Sequence, residues 1–363
     1  MMSKKYMRLA LELAEKGRGR TSPNPMVGAV IVKKNRIIGQ GYHKRAGFPH
    51  AEIIALRQAK AQAEGGTLYV NLEPCCHYGK TPPCTDAIIK SRVKKVVIGM
   101  KDPNPLVSGK GIKILKKAGI EISDGILEEG CKRLNEAYIK FIKSEKPFVT
   151  LKVGESIDGK IATRRGESRW ITCKKSRELV HKLRNESDAI MVGINTIIKD
   201  NPRLTSRLKS NKGKNPKRII VDSFLKIPLK AKVLNLNDAD TYIVTTKDAS
   251  KRKRSLLQKK GIKILLINKK RGRVDLQKLM VELGKLNITS LLIEGGGEIN
   301  ASALKEGLVD KAMFFISPII IGGKEAPSPV GGEGFLFLKD AKSLKNIMVK
   351  RVDQDILIEG YLN

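Results

Sequence analysis

Two short segments near the amino terminus most constrain the fold, because they hold four groups that belong together chemically. His50 and Glu52 supply an imidazole and a carboxylate, and Cys75 and Cys84 supply two thiols. Zinc in a catalytic site takes three protein ligands and keeps a fourth position for water, whose pKa it lowers to about 7. We therefore predict that His50, Cys75 and Cys84 are zinc ligands and that Glu52 is the proton shuttle.

The spacing of these residues is close to that of zinc nucleobase deaminases, which carry H-x-E followed by P-C-x-x-C. Here the cysteine that completes the pattern is Cys84, nine residues after Cys75. A longer loop, residues 76–83, separates these two thiols and itself contains Cys76. Residues 74–84 read P-C-C-H-Y-G-K-T-P-P-C and resemble the deaminase half of the bifunctional deaminase/reductase family of riboflavin biosynthesis. The alternative is two buried cysteines and a surface histidine, which the order and spacing together disfavour.

The second half of the chain resembles the reductase half of the same family, through residues 152–162, 200–205, 221–223 and 294–297. The resemblance implies NADPH as cofactor and a fold similar to that of dihydrofolate reductase. Glycines 295–297 are predicted to lie between a strand and a helix, where backbone N–H groups can approach a pyrophosphate. A tight turn is the simpler alternative for them. The G-x-G-x-x-G of Rossmann domains is not matched here, which disfavours that fold.

The same resemblance assigns single residues of the second half. Asp200 would be the acid of the reduction and would lie at the cofactor, although Asp200-Asn201-Pro202 is also typical of an Asx turn, which can itself present a catalytic acid. The other residues assigned to substrate are Ser168, Arg184, Leu204, Arg207 and Glu294. The other residues assigned to NADPH are Gly154, Trp170, Thr196, Ser223, Gly296, Gly297, Glu298, Ile299, Asn300, Ala301 and Ser302.

The chain departs from the family pattern beside Gly154, where Glu155 and Ile157 replace the usual residues. Glycine at 154 keeps room for the cofactor. In the first half, Asn24, His77 and Lys80 are candidates to contact the pyrimidine or its ribosyl phosphate. Asn24 lies between two prolines, so a structural role as a turn residue is nearly as well supported.

The pattern of apolar runs predicts a different α/β domain on each side of residues 143–147. In the first half, strands are predicted at 27–32, 36–41, 67–72 and 93–98, helices begin near His50 and Pro83, and an amphipathic stretch covers 127–142. Both metal segments then lie where helices begin, which favours thiolates. The layout of the first half suits a cytidine-deaminase-like three-layer α/β/α sandwich, predicted over 1–146, and the family resemblance implies a dihydrofolate-reductase-like α/β domain over 147–363.

Length and composition set wider limits. A chain of 363 residues exceeds the size of one ordinary core and predicts two domains. Five cysteines, three of them within residues 75–84, form no disulfide framework and suit a reducing compartment, so we expect a cytoplasmic protein. No apolar run approaches the ~20 residues of a membrane span. A homo-oligomer is compatible with the sequence.

The net charge of +35 is high enough to raise the question of nucleic-acid binding. Both halves share the basic excess, and no single basic stripe stands out. We rank a lysine-rich composition bias first, attraction of phosphorylated substrates second and nucleic-acid binding third, and predict no nucleic-acid partner.

The predicted function is a bifunctional enzyme of riboflavin biosynthesis. The resemblance implies zinc-dependent deamination of 2,5-diamino-6-(5-phosphoribosylamino)pyrimidin-4(3H)-one to 5-amino-6-(5-phosphoribosylamino)uracil, then NADPH-dependent reduction of the ribosyl group to a ribityl side chain. Two alternatives are a nucleic-acid-editing zinc deaminase with an accessory basic domain and a noncatalytic zinc-stabilised RNA-binding protein. An aromatic content of 4% leaves few stacking platforms for bases and disfavours both.

Overall fold

The computed structural model describes residues 2–78, 82–208 and 213–362. Its chain divides into two compact units, Met1–Glu145 and Lys146–Asn363. This division falls within residues 143–147, one residue before the predicted boundary between residues 146 and 147. No helix within the described ranges is both long and apolar enough to cross a membrane.

The first unit is built on a five-stranded sheet with the order β2-β1-β3-β4-β5. Strand β1 is antiparallel to β2 and to β3, and the remaining neighbours are parallel. The strands are β1 (Gly28–Lys33), β2 (Arg36–Tyr42), β3 (Thr67–Leu72), β4 (Lys95–Met100) and β5 (Glu121–Ser123). The helices are α1 (Met2–Glu15), α2 (Ala51–Ala59), α3 (Cys84–Lys90), α4 (Lys110–Lys117), α5 (Glu128–Leu134) and α6 (Glu136–Ser144).

Alternate residues of β1 point to opposite faces of this sheet, and each face is covered by helices. Ala29 and Ile31 pack in the core that α2, α3 and α4 close. Val30 and Val32 pack in a second core, which α1, α5 and α6 close. Because all four side chains are at most 7% exposed, the strand is apolar along its whole length, as expected of a sheet buried on both sides.

The amphipathic stretch predicted at 127–142 forms two helices rather than one. The chain turns at Asn135, which is 1% exposed and holds a distant loop instead of continuing a helical face. Its Oδ1 accepts a hydrogen bond from the Met26 amide at 2.8 Å, and its Nδ2 donates one to the Met26 carbonyl at 3.0 Å. The loop before β1 is therefore held by a residue that lies far away in the sequence.

The second unit is built on a nine-stranded sheet with the order β10-β9-β8-β7-β13-β6-β14-β16-β15. Seven strands are parallel, and β16 and β15 add an antiparallel edge. The strands are β6 (Phe148–Ser156), β7 (Ala189–Gly193), β8 (Lys217–Val221), β9 (Thr241–Thr245), β10 (Lys263–Leu266), the short pair β11 (Lys269–Lys270) and β12 (Arg273–Val274), β13 (Ser290–Ile293), β14 (Lys311–Ser317), β15 (Lys345–Val352) and β16 (Asp355–Tyr361). The helices are α7 (Lys174–Glu186), α8 (Ile194–Asp200), α9 (Lys251–Lys259), α10 (Leu276–Lys285) and α11 (Gly297–Lys305).

Helices cover both faces of this sheet as well. The core on one face includes α10 and α11, and the cores on the other face include α8 and α9 or residues of α7. In a parallel sheet the carboxyl ends of the strands meet at one edge, where ligands of α/β proteins bind. At that edge lie the ends of β7, β8 and β13, followed by Ile194, Asp222 and Glu294.

Candidate active sites

The first candidate site lies where two helices begin. His50 is the residue that precedes α2 and has extended backbone angles, and Cys84 is the first residue of α3. Cys75 follows β3. His50 Nδ1 lies 3.2 Å from Cys84 Sγ and 3.5 Å from Cys75 Sγ. Among the described residues, this trio forms the one cluster of metal-ligand side chains, with ligand atoms within 4.8 Å of one another.

These distances fit zinc. Tetrahedral zinc with Zn–S near 2.3 Å and Zn–N near 2.0 Å separates a sulfur from a nitrogen ligand by about 3.5 Å. The two observed nitrogen–sulfur distances are close to that value, and the set of one imidazole and two thiols is one that zinc accepts. A metal could therefore bind with only small movements of the three side chains.

The surroundings favour a thiolate at this point. The two thiols share a hydrogen bond, which lowers the pKa of Cys75 and raises that of Cys84. The Cys84 amide at the start of α3 also donates to Cys75 Sγ at 3.3 Å, and the hydrogen bond from His50 adds to the effect. Cys75 is thus prepared to act as an anionic ligand.

Glu52 lies in the first turn of α2 and is 3% exposed. Burial and, to a smaller extent, the negative charge of Cys75 raise the pKa of its carboxyl to about 7, against an opposing effect of His50. Cys84 is hydrogen-bonded to this carboxyl. A carboxyl with a pKa near neutrality can both accept and donate a proton, which is what a general acid–base residue requires.

The predicted contacts of the pyrimidine have different environments. Asn24 is partly buried, and its Nδ2 lies 3.1 Å from His43 Nε2. His77 is exposed, and Lys80 lies outside the described residues. The sequence analysis missed His43, which is 2% exposed and has its ring edge-on to His50 at 5.4 Å. A second histidine seven positions before a metal ligand was the available signal.

A buried carboxylate, Glu73, organises the loop on the far side of the cysteines. It accepts hydrogen bonds from the backbone amides of Asp102, Gly109 and Ile112 at 3.0–3.2 Å, and thereby caps the amino terminus of α4. Cys76 Sγ lies 3.9 Å from the Leu106 carbonyl of that loop. Cys76 is therefore directed to this loop. The metal-ligand cluster contains the other two cysteines of residues 75–84, which are Cys75 and Cys84.

The second candidate site is a cleft of about 220 Å³ in the second unit. It gathers six of the residues assigned by the sequence analysis. These are Gly154, Ser168, Trp170, Arg184, Arg207 and Glu294. The missed residues at the cleft include Lys152, Arg177 and His181. The signal for the last two was their spacing with Arg184 along α7, which places them on one helical face.

Glu294 is the central anion of the cleft. Arg184 binds it with two hydrogen bonds, Nε to Oε1 at 2.7 Å and Nη2 to Oε2 at 2.9 Å, and Lys152 Nζ lies 3.0 Å from Oε2. Although burial opposes ionisation, these two cations hold the pKa of Glu294 at about 2. The carboxylate is therefore charged at any physiological pH.

The cleft as a whole carries excess positive charge. Its lining includes one carboxylate, that of Glu294, and four cationic side chains, those of Lys152, Arg177, Arg184 and Arg207. Burial and the charges of Arg184 and Arg207 lower the pKa of His181 to about 4, so this imidazole is neutral, and its Nδ1 lies 3.4 Å from the Arg207 amide. A cationic cleft with a neutral hydrogen-bonding group suits a phosphorylated substrate.

Asp200 and Leu204 do not line this cleft. Asp200 is exposed at the carboxyl end of α8, and Arg169 Nη2 donates to its carbonyl at 3.1 Å. Although the residue is exposed overall, neighbouring protein atoms partly desolvate its carboxyl and raise its pKa, while Arg169 and Lys199 oppose the rise. The Leu204 side chain is 4% exposed and packs in the core under α8. Leu204 can therefore meet a ligand only through its backbone.

The positions assigned to NADPH at 296–302 lie at the amino terminus of α11. Thr196 Oγ1 accepts a hydrogen bond from the Gly296 amide at 3.1 Å, and Ser223 Oγ accepts one from the Val274 amide. A Cβ at Gly295 would lie 1.8 Å from Ile299 Cγ2, whereas Gly296 has open space beyond Thr196. Of the glycine triplet, residue 296 is thus the one whose backbone a ligand can approach.

Comparison with known families covers both units. Residues 1–100 match the cytidine and deoxycytidylate deaminase zinc-binding region, and residues 147–358 match the RibD C-terminal domain. The riboflavin biosynthesis protein RibD of Aquifex aeolicus is 46% identical over 357 residues, which cover 98% of each chain. The chain belongs to the RibD family. RibD of Escherichia coli K12 is 38% identical over 369 residues, 99% of each chain.

Solved structures of the family have the same fold. RibD of Acinetobacter baumannii superposes with a TM-score of 0.89 at 39% identity over 99% of each chain. A deaminase/reductase of Thermotoga maritima gives a TM-score of 0.87 at 38% identity, over 100% of this chain and 99% of that one. The predicted fold class is confirmed: a deaminase-like amino-terminal domain and a reductase carboxyl-terminal domain, each of α/β type.

The predicted function and cofactors are confirmed at the level of the family. The chain is a bifunctional enzyme of riboflavin biosynthesis that acts on pyrimidines, as a hydrolase through a zinc-binding deaminase domain and as an oxidoreductase through an NADPH-dependent reductase domain. A nucleic-acid-editing deaminase is not favoured, because the second domain matches a reductase. The roles of single residues remain predictions.

Proposed function

We propose that the chain replaces the 2-amino group of 2,5-diamino-6-(5-phosphoribosylamino)pyrimidin-4(3H)-one by oxygen, and then reduces the ribosyl group of the product. The observation that carries the proposal is the pairing of two sites in one chain. One combines a three-ligand metal cluster with a buried carboxyl whose pKa is about 7. The other is a cationic cleft beside a helix amino terminus.

In the first unit, His50, Cys75 and Cys84 would hold zinc. Zinc supplies Lewis acidity, which makes water a nucleophile near neutral pH. Glu52 would take one proton from the attacking water and deliver it to the ring nitrogen. It would then move a second proton, from the newly added hydroxyl group, to the amino group, which leaves as ammonia while the carbonyl forms. Asn24 supplies an amide beside the site, oriented by His43, and His77 and Lys80 are proposed to reach the ribosyl phosphate.

In the second unit, Arg184, Arg207, Ser168 and the Leu204 backbone would bind the phosphorylated substrate, with Glu294 holding Arg184 in place. NADPH supplies a hydride to C1′ of the opened ribosyl group. Its proposed contacts are Gly154, Trp170, Thr196, Ser223 and residues 296–302. Asp200 is the proposed proton donor, and the raised pKa of its carboxyl favours that role.

We also propose that residues 1–146 carry the deamination and residues 147–363 the reduction. The division of the chain into two compact units at residues 145 and 146 supports this assignment. The five free cysteines support a cytoplasmic location. We propose a homo-oligomer, because β15 is an edge strand of the large sheet with mostly exposed side chains, and a second copy could pair with it symmetrically. We propose no nucleic-acid partner.

The deaminase assignment is tested by Glu52→Gln, which keeps the size and hydrogen bonding of the side chain but cannot carry the proton. Deamination should fall by ~100 to 10,000-fold, the usual contribution of general acid–base catalysis. Zinc content and the reduction of already deaminated substrate should be normal. Near-normal deamination would remove Glu52 from the mechanism.

The reductase assignment is tested by Asp200→Asn in the full-length protein supplied with the diaminopyrimidine and NADPH. The deaminated product should accumulate, because the donor of the proton in the second step is gone. A normal rate of NADPH oxidation by this variant would contradict the role of Asp200. The matched control is Asp240→Asn, since Asp240 is an exposed carboxylate that pairs with Lys263 at the surface and lies in neither proposed site.

A further inference from the structure

A glycine- and proline-rich loop, residues 326–332, packs on the amino terminus of α11 and is called the strap below. The Gly331 amide donates to the Gly297 carbonyl at 3.1 Å. A Cβ at Gly297 would lie 2.9 Å from both the Gly331 nitrogen and the Ser328 oxygen. Glycine at 297 is therefore required by the strap, whereas a Cβ at the neighbouring Gly296 would make only an ordinary contact, with Thr196 Oγ1 at 3.5 Å.

Two side chains of α11 hold the same strap. Glu298 Oε1 accepts from the Gly332 amide at 3.3 Å, and its Oε2 pairs with Arg273 at 3.3 Å. Asn300 is 2% exposed, and its Nδ2 donates to the Pro329 carbonyl at 2.8 Å. Both side chains belong to the stretch assigned to NADPH, yet each is directed to the strap.

The other end of the strap is fixed to the wall of the reductase cleft. The Ile161 amide donates to the Pro327 carbonyl at 3.0 Å, and Lys160 Nζ reaches the Ala326 carbonyl at 3.4 Å. Ile161 itself lines the cleft together with Trp170. The strap thus connects the helix terminus proposed for the pyrophosphate to the cleft proposed for the substrate.

We infer that the strap forms a wall of the NADPH site and that Glu298 and Asn300 are positioning residues that act through it. This inference rests on the proposed function of the second unit. A free carboxylate beside a pyrophosphate would repel it, but the Glu298 charge is taken up by Arg273 and the Gly332 amide. The same two bonds fix the strap beside the amino terminus of α11.

The experiment compares Glu298→Gln with Glu333→Gln in the full-length protein. Glu333 follows the strap and is 92% exposed, in a long 3.7 Å pair with Lys305, so it is a matched control. NADPH affinity is measured by quenching of Trp170, the single tryptophan of the chain. Hydrogen–deuterium exchange of the peptide 319–334, with and without NADPH, reports on the strap itself.

In the wild type, NADPH should slow exchange in this peptide. Glu298→Gln should speed exchange in the free protein and raise the Kd for NADPH about tenfold, because a charge-assisted bond to the strap is weakened. Arg273→Gln, a change at a largely exposed residue that cannot unfold the domain, should shift both readouts in the same direction but less. Glu333→Gln should change neither.

Three results would overturn the inference. Faster exchange with an unchanged Kd would mean that the strap is not part of the site. A weaker Kd with unchanged exchange would mean that Glu298 meets the cofactor directly. Unchanged values of both would mean that Glu298 does not hold the strap. A wild-type protein that fails to bind NADPH would instead contradict the proposed function.

Discussion

The two units each bury one carboxylate at a candidate site, but the two carboxylates have opposite properties. Glu52 is 3% exposed, and its carboxyl has a pKa of about 7. The side chain of Glu294 is 4% exposed, and its pKa is about 2. Burial raises the pKa in both cases. The difference comes from Arg184 and Lys152, which contact Glu294, whereas at Glu52 the charge of Cys75 raises the pKa more than His50 lowers it.

This difference separates a group that moves a proton from a group that stays charged. Desolvation that no hydrogen-bonded cation offsets brings the pKa of a carboxyl close to 7. Such a carboxyl can exchange protons with a substrate. A carboxylate held by two cations cannot do so at neutral pH, and its function is to orient them. The first site therefore depends on a metal and a mobile proton, and the second on fixed ion pairs.

The largest predicted effect concerns the metal. Cys75→Ser should lose the zinc of the purified protein, because serine does not replace the thiolate, and deamination should disappear with it. Cys76→Ser should keep zinc near one per chain, since Cys76 faces the loop at Leu106. Metal analysis of both variants measures this. Equal loss of zinc would show that the choice of ligand is wrong.

A smaller effect is predicted for acid stability of the second unit. Because the folded-state pKa of Glu294 is depressed to about 2 from 4.5, its contribution to the free energy of unfolding is present above pH 4.5 and is lost as the pH falls towards 2. The loss should be on the order of 3 kcal/mol. The free energy of unfolding, followed by Trp170 fluorescence, should fall less between pH 4.5 and 2 in Glu294→Gln than in the wild type. An identical pH dependence would contradict the ion-pair assignment.

The smallest predicted effect concerns the loop that carries Asn24. Asn135→Asp keeps an acceptor for the Met26 amide but places a carboxylate oxygen against the Met26 carbonyl. The free energy of unfolding should fall by about 1–3 kcal/mol, and KM for the diaminopyrimidine should rise more than kcat falls. An effect on stability alone, with KM unchanged, would show that Asn135 has no part in positioning Asn24.

The structure brings together the residues predicted for the first site more completely than those predicted for the second, for a physical reason. His50, Glu52, Cys75 and Cys84 lie in two short segments at helix starts, so order and spacing alone bring them together. The second cleft joins β6, α7, the end of β13 and the loops near Ser168 and Arg207, and no local pattern encodes such a set. Its assignments depended on resemblance, and contacts such as Lys152 and Arg177 were missed.

The same reasoning explains which parts of the fold were predictable. Strands such as β1 and β3 were predicted because a strand buried on both faces is apolar along most of its length. The break at Asn135 was not found, because its cause is a hydrogen bond to Met26, far away in sequence. Likewise, glycine at 297 was predicted from the sequence to approach a phosphate. The close packing of the strap explains why glycine is needed there.

The most direct test of the comparison is to replace each buried carboxylate by its amide and to measure unfolding of the zinc-free proteins at pH 8. Glu52→Gln should unfold with a free energy equal to or above that of the wild type, because at pH 8 it removes a buried charge whose desolvation His50 does not offset. Glu294→Gln should lose about 3–5 kcal/mol, because Arg184 and Lys152 are left without their anion. If the two variants lost the same free energy, the carboxylates would not differ in the way described, and the assignment of one as proton carrier and the other as fixed anion would be wrong.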